Sequence, residues 1–113
     1  NDNEIIGFMV CFREGSDYSS KNYKFFKDNE NHFLYIDRVV IKEEYRRKGI
    51  ANYLYSSIEE IAIELGSPLC CEVNTFPENK PSIEFHKKFG FVDIGKNDFE
   101  ENSVVYYKKP VIL

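Results

Sequence analysis

The chain has 113 residues, 42% hydrophobic and 30% charged, with a formal net charge of −4 and a pI near 5.2. That length supports one domain, residues 1–113, with a core that needs no disulfide staples. The acidic balance argues against a nucleic-acid-binding domain, which carries a basic surface, and no apolar run is long enough to span a bilayer.

The chain begins at Asn1 and enters a strand almost at once, which reads as part of a longer protein. Ile5 to Arg13 is apolar on both faces, the pattern of an internal strand, and Glu14 to Asp17 is a turn. Tyr18 to Asn31 is polar, with rings at Tyr18, Tyr23, Phe25 and Phe26. Ser20 or Asn22 is suited to cap a short helix there, running through Lys27. Two readings stand for this stretch: a surface segment pinned by its rings, and a substrate-facing wall. His32 to Lys42 is the second strand, β-branched at Val39, Val40 and Ile41 and expected to be buried on both sides.

A long helix is expected from Arg47 to Leu65. Ile50, Leu54, Ile58, Ile61 and Leu65 recur at helical spacing as its buried stripe, with Glu59, Glu60 and Glu64 toward solvent. Tyr53 and Tyr55 are assigned to packing. Gly66 ends the helix and Pro68 prevents its resumption. Leu69 to Asn74 is a third strand. Strand, helix and strand joined this closely form a βαβ unit, so the second and third strands should run parallel. After a proline-containing loop, a second helix runs from Lys80 to Phe89, N-capped by Asn79 and stopped by Gly90. Phe91 to Gly95 and Ser103 to Lys108, joined by a polar turn, read as an antiparallel hairpin. Ser103 to Tyr107 is a candidate edge for pairing in a homodimer.

Cys11, Cys70 and Cys71 show no metal or disulfide spacing, and adjacent residues of a strand point to opposite faces. They read as small buried hydrophobes in a reducing compartment. With no signal peptide recognised, the expected setting is cytoplasmic, and no metal is expected.

One segment carries more chemistry than the rest. Arg46, Arg47, Lys48, Gly49, Ile50 and Ala51 lie where an apolar strand hands over to the long helix. Gly49 and Ala51 let a ligand approach the backbone, and the first-turn N–H groups of a helix suit a phosphate. A basic first turn opposes the helix macrodipole, a mismatch that a bound anion would relieve. The segment is neither a Walker A loop nor a Gly-x-Gly-x-x-Gly fingerprint.

The run from Val39 to Ala51 (VVIKEEYRRKGIA) resembles the acetyl-CoA signature of the GNAT N-acetyltransferase superfamily, whose core is Arg/Gln-x-x-Gly-x-Gly/Ala. Arg46, Gly49 and Ala51 fall on its fixed positions. Asn79 to Phe91 (NKPSIEFHKKFGF) resembles the superfamily's second signature, Asn-x-x-Ser/Ala-x-x-x-Tyr-x-x-x-Gly-Phe. Cys71 to Asn74, the proline-containing loop and Phe85-His86 are similar to a little-characterised bacterial branch. The resemblance implies an α/β fold: a mixed, mostly antiparallel sheet with one splayed parallel strand pair, flanked by helices and lacking the N-terminal element. It implies that Val39, Val40 and Ile41 offer backbone groups to pantetheine, that Arg46 to Ala51 cradle the pyrophosphate, and that Asn79 contacts the cofactor. It further implies that acetyl-CoA is the cosubstrate and an amine-bearing small molecule or protein the acceptor.

Such a reaction needs a neutral amine. A lysine-like amine lies about 3 pH units above neutrality, so its deprotonation costs roughly 4 kcal/mol without a base. Asp37, expected on the face of Val39, and Glu72 on the third strand are the candidate bases. His86 stands where the superfamily has the tyrosine that protonates the leaving thiolate. An imidazolium, with a pKa of about 6.5, is a stronger acid but less often protonated at neutral pH. Tyr35, Tyr45, Tyr106 and Tyr107 are the fallback donors. The reading from another class is an acyl-CoA-binding or partner-binding domain that keeps the fold without efficient chemistry.

Overall fold

The computed structural model describes residues 4–111. Among these residues five strands form a single sheet. β1 (Gly7–Arg13) leads through α1 (Lys21–Asn29) to β2 (Leu34–Ile41); α2 (Ile50–Leu65) leads to β3 (Leu69–Phe76); and α3 (Lys80–Phe89) precedes the hairpin of β4 (Val92–Asp98) and β5 (Ser103–Lys109). The strand order is β1-β2-β3-β5-β4. Among the described residues only β2 and β3 are parallel, and their pairing is confined to Leu34↔Leu69 and Tyr35↔Cys70. Beyond those two pairs the strands part.

The helices end where local chemistry dictates. Ser20 Oγ accepts from Tyr23 N at 3.3 Å and caps α1. Asn79 Oδ1 accepts from Ser82 N at 3.3 Å and caps α3. Gly66 and Gly90 close α2 and α3 at φ 65° and 113°, left-handed values that glycine adopts without a Cβ penalty.

Each sheet face has its own core. On one, α2 and α3 cover Leu34, Ile36, Leu69, Cys71, Val73, Val105 and Tyr107. On the other, Tyr23 and Phe26 of α1 pack with Phe33, Tyr35, Cys70, Val104 and Tyr106. Cys70 and Cys71 thus face opposite ways as strand alternation requires. Each fully buried ring or aliphatic side chain contributes roughly 1.5–3 kcal/mol.

Several expectations need correcting. Among the described residues, β1 pairs with β2 alone and is an edge strand. Residues 103–107 lie inside the sheet between β3 and β4, so they offer no edge to a second copy. β4 runs on through Asp98, shortening the expected turn. α2 starts at Ile50 rather than Arg47. Its sheet-facing residues are Tyr55, Ile58 and Ala62, while Ile61 and Leu65 are exposed. Two apolar stripes share Ile58, and periodicity alone does not choose between them; small Ala62 and the ring of Tyr55 fit the sheet. Tyr53 is exposed, and Glu59 pairs with Lys109 of β5. β2 is buried only from Leu34 to Ile36, because β3 leaves its side after Tyr35.

Candidate active site

The parting of β2 and β3 creates a fork; two sets of residues lie at it, and a third expected there lies elsewhere. The first lies at its base. Two residues beyond the last parallel pair, Tyr35↔Cys70, are Asp37 on β2 and Glu72 on β3. Both turn toward the α1 side. Tyr18 Oη donates to Asp37 Oδ1 at 2.8 Å, and Tyr35 Oη donates to Glu72 Oε1 at 2.6 Å.

The β1–β2 register slips here, from Val10↔Arg38 to Cys11↔Ile36, so Asp37 has no partner on β1. Such a bulge turns the chain by one residue and leaves backbone groups out of the ladder. Val39 consequently packs against the α2 side. Asp37 and Val39 do not share a face, contrary to the plain alternation of a strand.

Burial pushes the Glu72 carboxyl up, and the nearby charge of Asp37 adds to this while the hydrogen bond from Tyr35 opposes it. The result is about 7, inside the range in which a carboxylate works as a general base at neutral pH. Burial raises Tyr35 well above the usual phenol range, helped by the charge and hydrogen bond of Glu72. Cys11 is pushed up to about 11 by burial and by Asp37, and burial also raises Cys70 and Cys71. These thiols stay protonated at neutral pH and are poor nucleophiles.

The second set is at the open end of β2. Past Tyr35 the β3-facing edge of β2, including Val39, Val40 and Ile41, has no partner strand among the described residues. Its backbone groups on that side, apart from the Ile41 carbonyl that Arg46 takes, are open to an extended ligand. A 3₁₀ turn at Glu43–Tyr45 follows, and Arg46 Nε ties back to Ile41 O at 3.1 Å. Arg47 has φ 62° and Gly49 φ 79°, two left-handed residues that bend the backbone into the start of α2. Gly49 is the N-cap. It has no side chain to satisfy the first turn, and that turn holds no acidic residue. The N–H groups of Ile50 and Ala51 therefore face outward with the positive end of the helix behind them. Ile41, Arg46, Arg47, Gly49, Ile50, Ala51, Asn52 and Phe85 line a cavity of about 350 Å³ there. Apart from its own neighbours in the chain, nothing among the described residues lies within 4 Å of where a Cβ on Gly49 would sit. Uncapped donors, flanking cations including exposed Lys48, and an open glycine suit a pyrophosphate. Asn79 has its oxygen engaged in capping α3, so only its amide nitrogen can donate to a ligand.

The third set is on the opposite, α2–α3 side. His86 is 5% exposed. Its Nδ1 lies 2.7 Å from Ser82 O. A carbonyl only accepts, so Nδ1 carries the proton, and Nε2 accepts from Tyr55 Oη at 2.8 Å. Burial lowers the pKa of His86, against a smaller opposing effect of the Ser82 carbonyl. The ring stacks on Tyr107. His86 thus has both nitrogens engaged, and the structure brings Asp37 and Glu72 together without it. Tyr106 is also engaged, its Oη donating to Asn22 Oδ1 at 2.8 Å, and Tyr45 Oη donates to Glu4 at 3.0 Å.

Sequence reasoning missed the tyrosine partners of the two carboxylates and the contribution of Asn52 to the cavity. Tyr18 stood out in the sequence only as a ring, and Tyr35 only as a fallback proton donor for the thiolate, not as a partner of Glu72. Among the described residues no group of acidic, histidine and cysteine side chains could hold a metal, and no helix is long and apolar enough to cross a membrane.

Residues 1–91 match the sequence model of the acetyltransferase (GNAT) family. Over 79 residues the chain is 28% identical to spermine/spermidine N(1)-acetyltransferase of Bacillus subtilis (strain 168), covering 70% of this chain and 52% of that protein. It spans about half the length of this curated relative. Three solved structures share its fold. Chaetomium thermophilum Naa20 in complex with a bisubstrate analogue has a TM-score of 0.74 and 21% identity, over 94% of this chain and 60% of that one. Arabidopsis thaliana NAA60 in complex with acetyl-CoA has 0.74 and 18%, over 96% and 67%. The ribosomal-protein-S18-alanine N-acetyltransferase from Escherichia coli has 0.74 and 12%, over 100% and 66%.

Proposed function

The chain belongs to the acetyltransferase (GNAT) family, and from that premise we propose that it transfers an acetyl group from acetyl-CoA to a primary amine by direct attack. The observation that carries this reading is the fork itself: an anion seat at the tip of one strand and a carboxylate of near-neutral pKa at its base.

Bound acetyl-CoA supplies the activated acyl carbon as a thioester. Ile50, Ala51 and the cations of Arg46, Arg47 and Lys48 would hold its pyrophosphate. The open edge from Val39 to Ile41 would hold the pantetheine arm by backbone hydrogen bonds, and Asn79 would donate to it through Nδ2. Glu72 would take the proton of the incoming ammonium as the nitrogen attacks. The backbone freed by the bulge at Asp37 would donate to the acyl oxygen as that oxygen gains charge. Asp37, hydrogen-bonded by Tyr18, would draw a cationic amine to the fork. Direct transfer is favoured over a cysteinyl route because burial keeps all three thiols protonated. Tyr55 donates its hydroxyl proton to His86 Nε2 and His86 donates its own to Ser82 O, so water would supply the proton to the departing sulfur.

Acceptors of the relatives are a polyamine for the Bacillus enzyme and an alanine of ribosomal protein S18 for the Escherichia one, by their names. All are amines, and we extend that class to this chain. The reading keeps the expected cytoplasmic setting, which the free thiols support. The commitment of His86 to Ser82 and Tyr55 also favours a second reading, an acyl-CoA-binding domain with the same fold and weak chemistry.

Calorimetry with acetyl-CoA and a free-thiol release assay on a panel of amines separate the two. Binding with turnover supports the enzyme, binding without turnover on any amine supports the second reading, and no binding removes both.

A further inference from the structure

Tyr35 is fully buried, and its ring is walled by those of Tyr23 and Phe26, with centroids 5.6 and 5.7 Å away. A phenylalanine would fill that space equally well. The hydroxyl is what packing does not explain, and it donates to Glu72 Oε1 at 2.6 Å. The contact is built into the topology: Tyr35↔Cys70 is the last parallel pair, and Glu72 is the next residue of β3 on the same face.

We propose that Tyr35 is a positioning residue for the carboxylate that deprotonates the acceptor amine, its hydroxyl holding Glu72 Oε1 from inside the core at the base of the fork. This rests on the acetyltransferase reading and adds to it a second residue that tunes the same site.

A short O–H···O⁻ bond favours the ionised carboxylate, since only the charged form gains the full strength of the contact. The groups facing Glu72 are Tyr35 and Asp37 of β2, Tyr18 before α1, Tyr106 opposite on β5, Tyr55 across the sheet and adjacent Cys71. Asp37 and burial both oppose ionisation of Glu72, and Tyr35 is the side chain that favours it. In the reaction the N–H bond of the ammonium breaks and an O–H bond forms on Glu72. The electron pair left on nitrogen forms the new bond to the acyl carbon, the C–S bond breaks with its pair on the departing sulfur, and the second proton shed by the nitrogen offsets the one that sulfur gains through water. Tyr35 keeps its own proton throughout and only donates.

The test is Tyr35→Phe in the whole chain, with two readouts. A ¹³C carboxyl NMR titration without ligand, the Glu72 signal assigned by its loss in Glu72→Gln, reports the carboxyl directly. Its midpoint is expected to move upward by about one pH unit, the size expected for one hydrogen bond to an ionised carboxylate. The pH profile of kcat/KM for an amine acceptor should move its lower limb by the same amount. That means about tenfold less activity than wild type near pH 6.5 and near-wild-type activity above pH 9, with the calorimetric Kd for acetyl-CoA unchanged. A midpoint that stays or falls overturns the proposal, as does a loss of equal size at every pH. If Tyr35→Phe fails to fold, Glu72→Asp draws the carboxylate back from the hydroxyl, and its midpoint must still rise although aspartate is intrinsically the stronger acid. Failure of wild type to bind acetyl-CoA is a different result; it overturns the acetyltransferase reading, while the titration still decides whether Tyr35 tunes Glu72.

Discussion

Glu72→Gln gives the sharpest reading of the fork, because it should raise stability while removing activity. Glu72 is held from its ordinary 4.5 to about 7 by burial, with Asp37 nearby. At about 1.36 kcal/mol per pH unit, that corresponds to roughly 3 kcal/mol. The sign follows from proton binding. The folded chain holds the Glu72 proton more tightly than the unfolded chain, so this contribution is fully present below pH 4.5 and is lost as pH rises through about 7. Above pH 7 the wild type carries an ionised carboxylate that its surroundings disfavour. Glutamine keeps an acceptor for Tyr35 and has no such penalty. The variant should therefore match wild type near pH 4.5 and exceed it by up to roughly 3 kcal/mol at pH 8, a rise in Tm on the order of 10 °C. Urea unfolding at a series of pH values measures the difference directly, and turnover should drop by about 10²-fold or more. A stability difference that does not grow between pH 5 and 8 would refute the assignment of a buried, strained carboxylate to this position. Full activity in the variant would refute its role as the base.

Other expectations follow from the same geometry. Gly49→Val places a branched side chain in open space at φ 79°, costing roughly 1–2 kcal/mol of backbone strain. The circular dichroism spectrum should stay native while acetyl-CoA affinity, by calorimetry, falls at least about 100-fold; unchanged affinity would put the anion seat elsewhere. Tyr55→Phe strips His86 Nε2 of its donor inside the core, so the urea midpoint should drop by the equivalent of about 1–3 kcal/mol, and an undiminished midpoint would contradict the hydrogen bond. Cys11, pushed up to about 11, has under about 0.1% thiolate at pH 7.5. Brief iodoacetamide treatment should leave turnover intact, and mass spectrometry during turnover should find no acetylated cysteine. A stoichiometric acetyl-cysteine would replace direct transfer with a covalent route.

How much of this could be read from the chain alone depends on how far apart the interacting residues lie. Asn79, Gly66 and Gly90 act within a few residues of themselves, so those three helix ends were legible, and Ser20 was one of two caps offered; the start of α2 was not, because left-handed Arg47 delays it to Ile50. The strand-helix-strand unit and the glycine-containing turn before α2 were legible too, because hydrophobic period and backbone freedom are local properties. The segment from Arg46 to Ala51 could be singled out by residue type and spacing, and Asp37 and Glu72 through the resemblance to the GNAT signatures. Their arrangement could not. Tyr35 and Glu72 are 37 positions apart, and they meet because β2 and β3 pair for only two residues before parting. The slip opposite Asp37 turned Val39 to the other face, an offset that a regular period of two does not encode. His86 is where its helical position puts it, yet the partners that occupy both its nitrogens come from its own preceding turn and from Tyr55 on another helix. Sequence determined which groups were available, since composition and short-range pattern specify donors, caps and cations. Tertiary structure decided which of them share a fork and which carboxyl is shifted toward neutrality. Burial and charge proximity depend on strands meeting and separating in space.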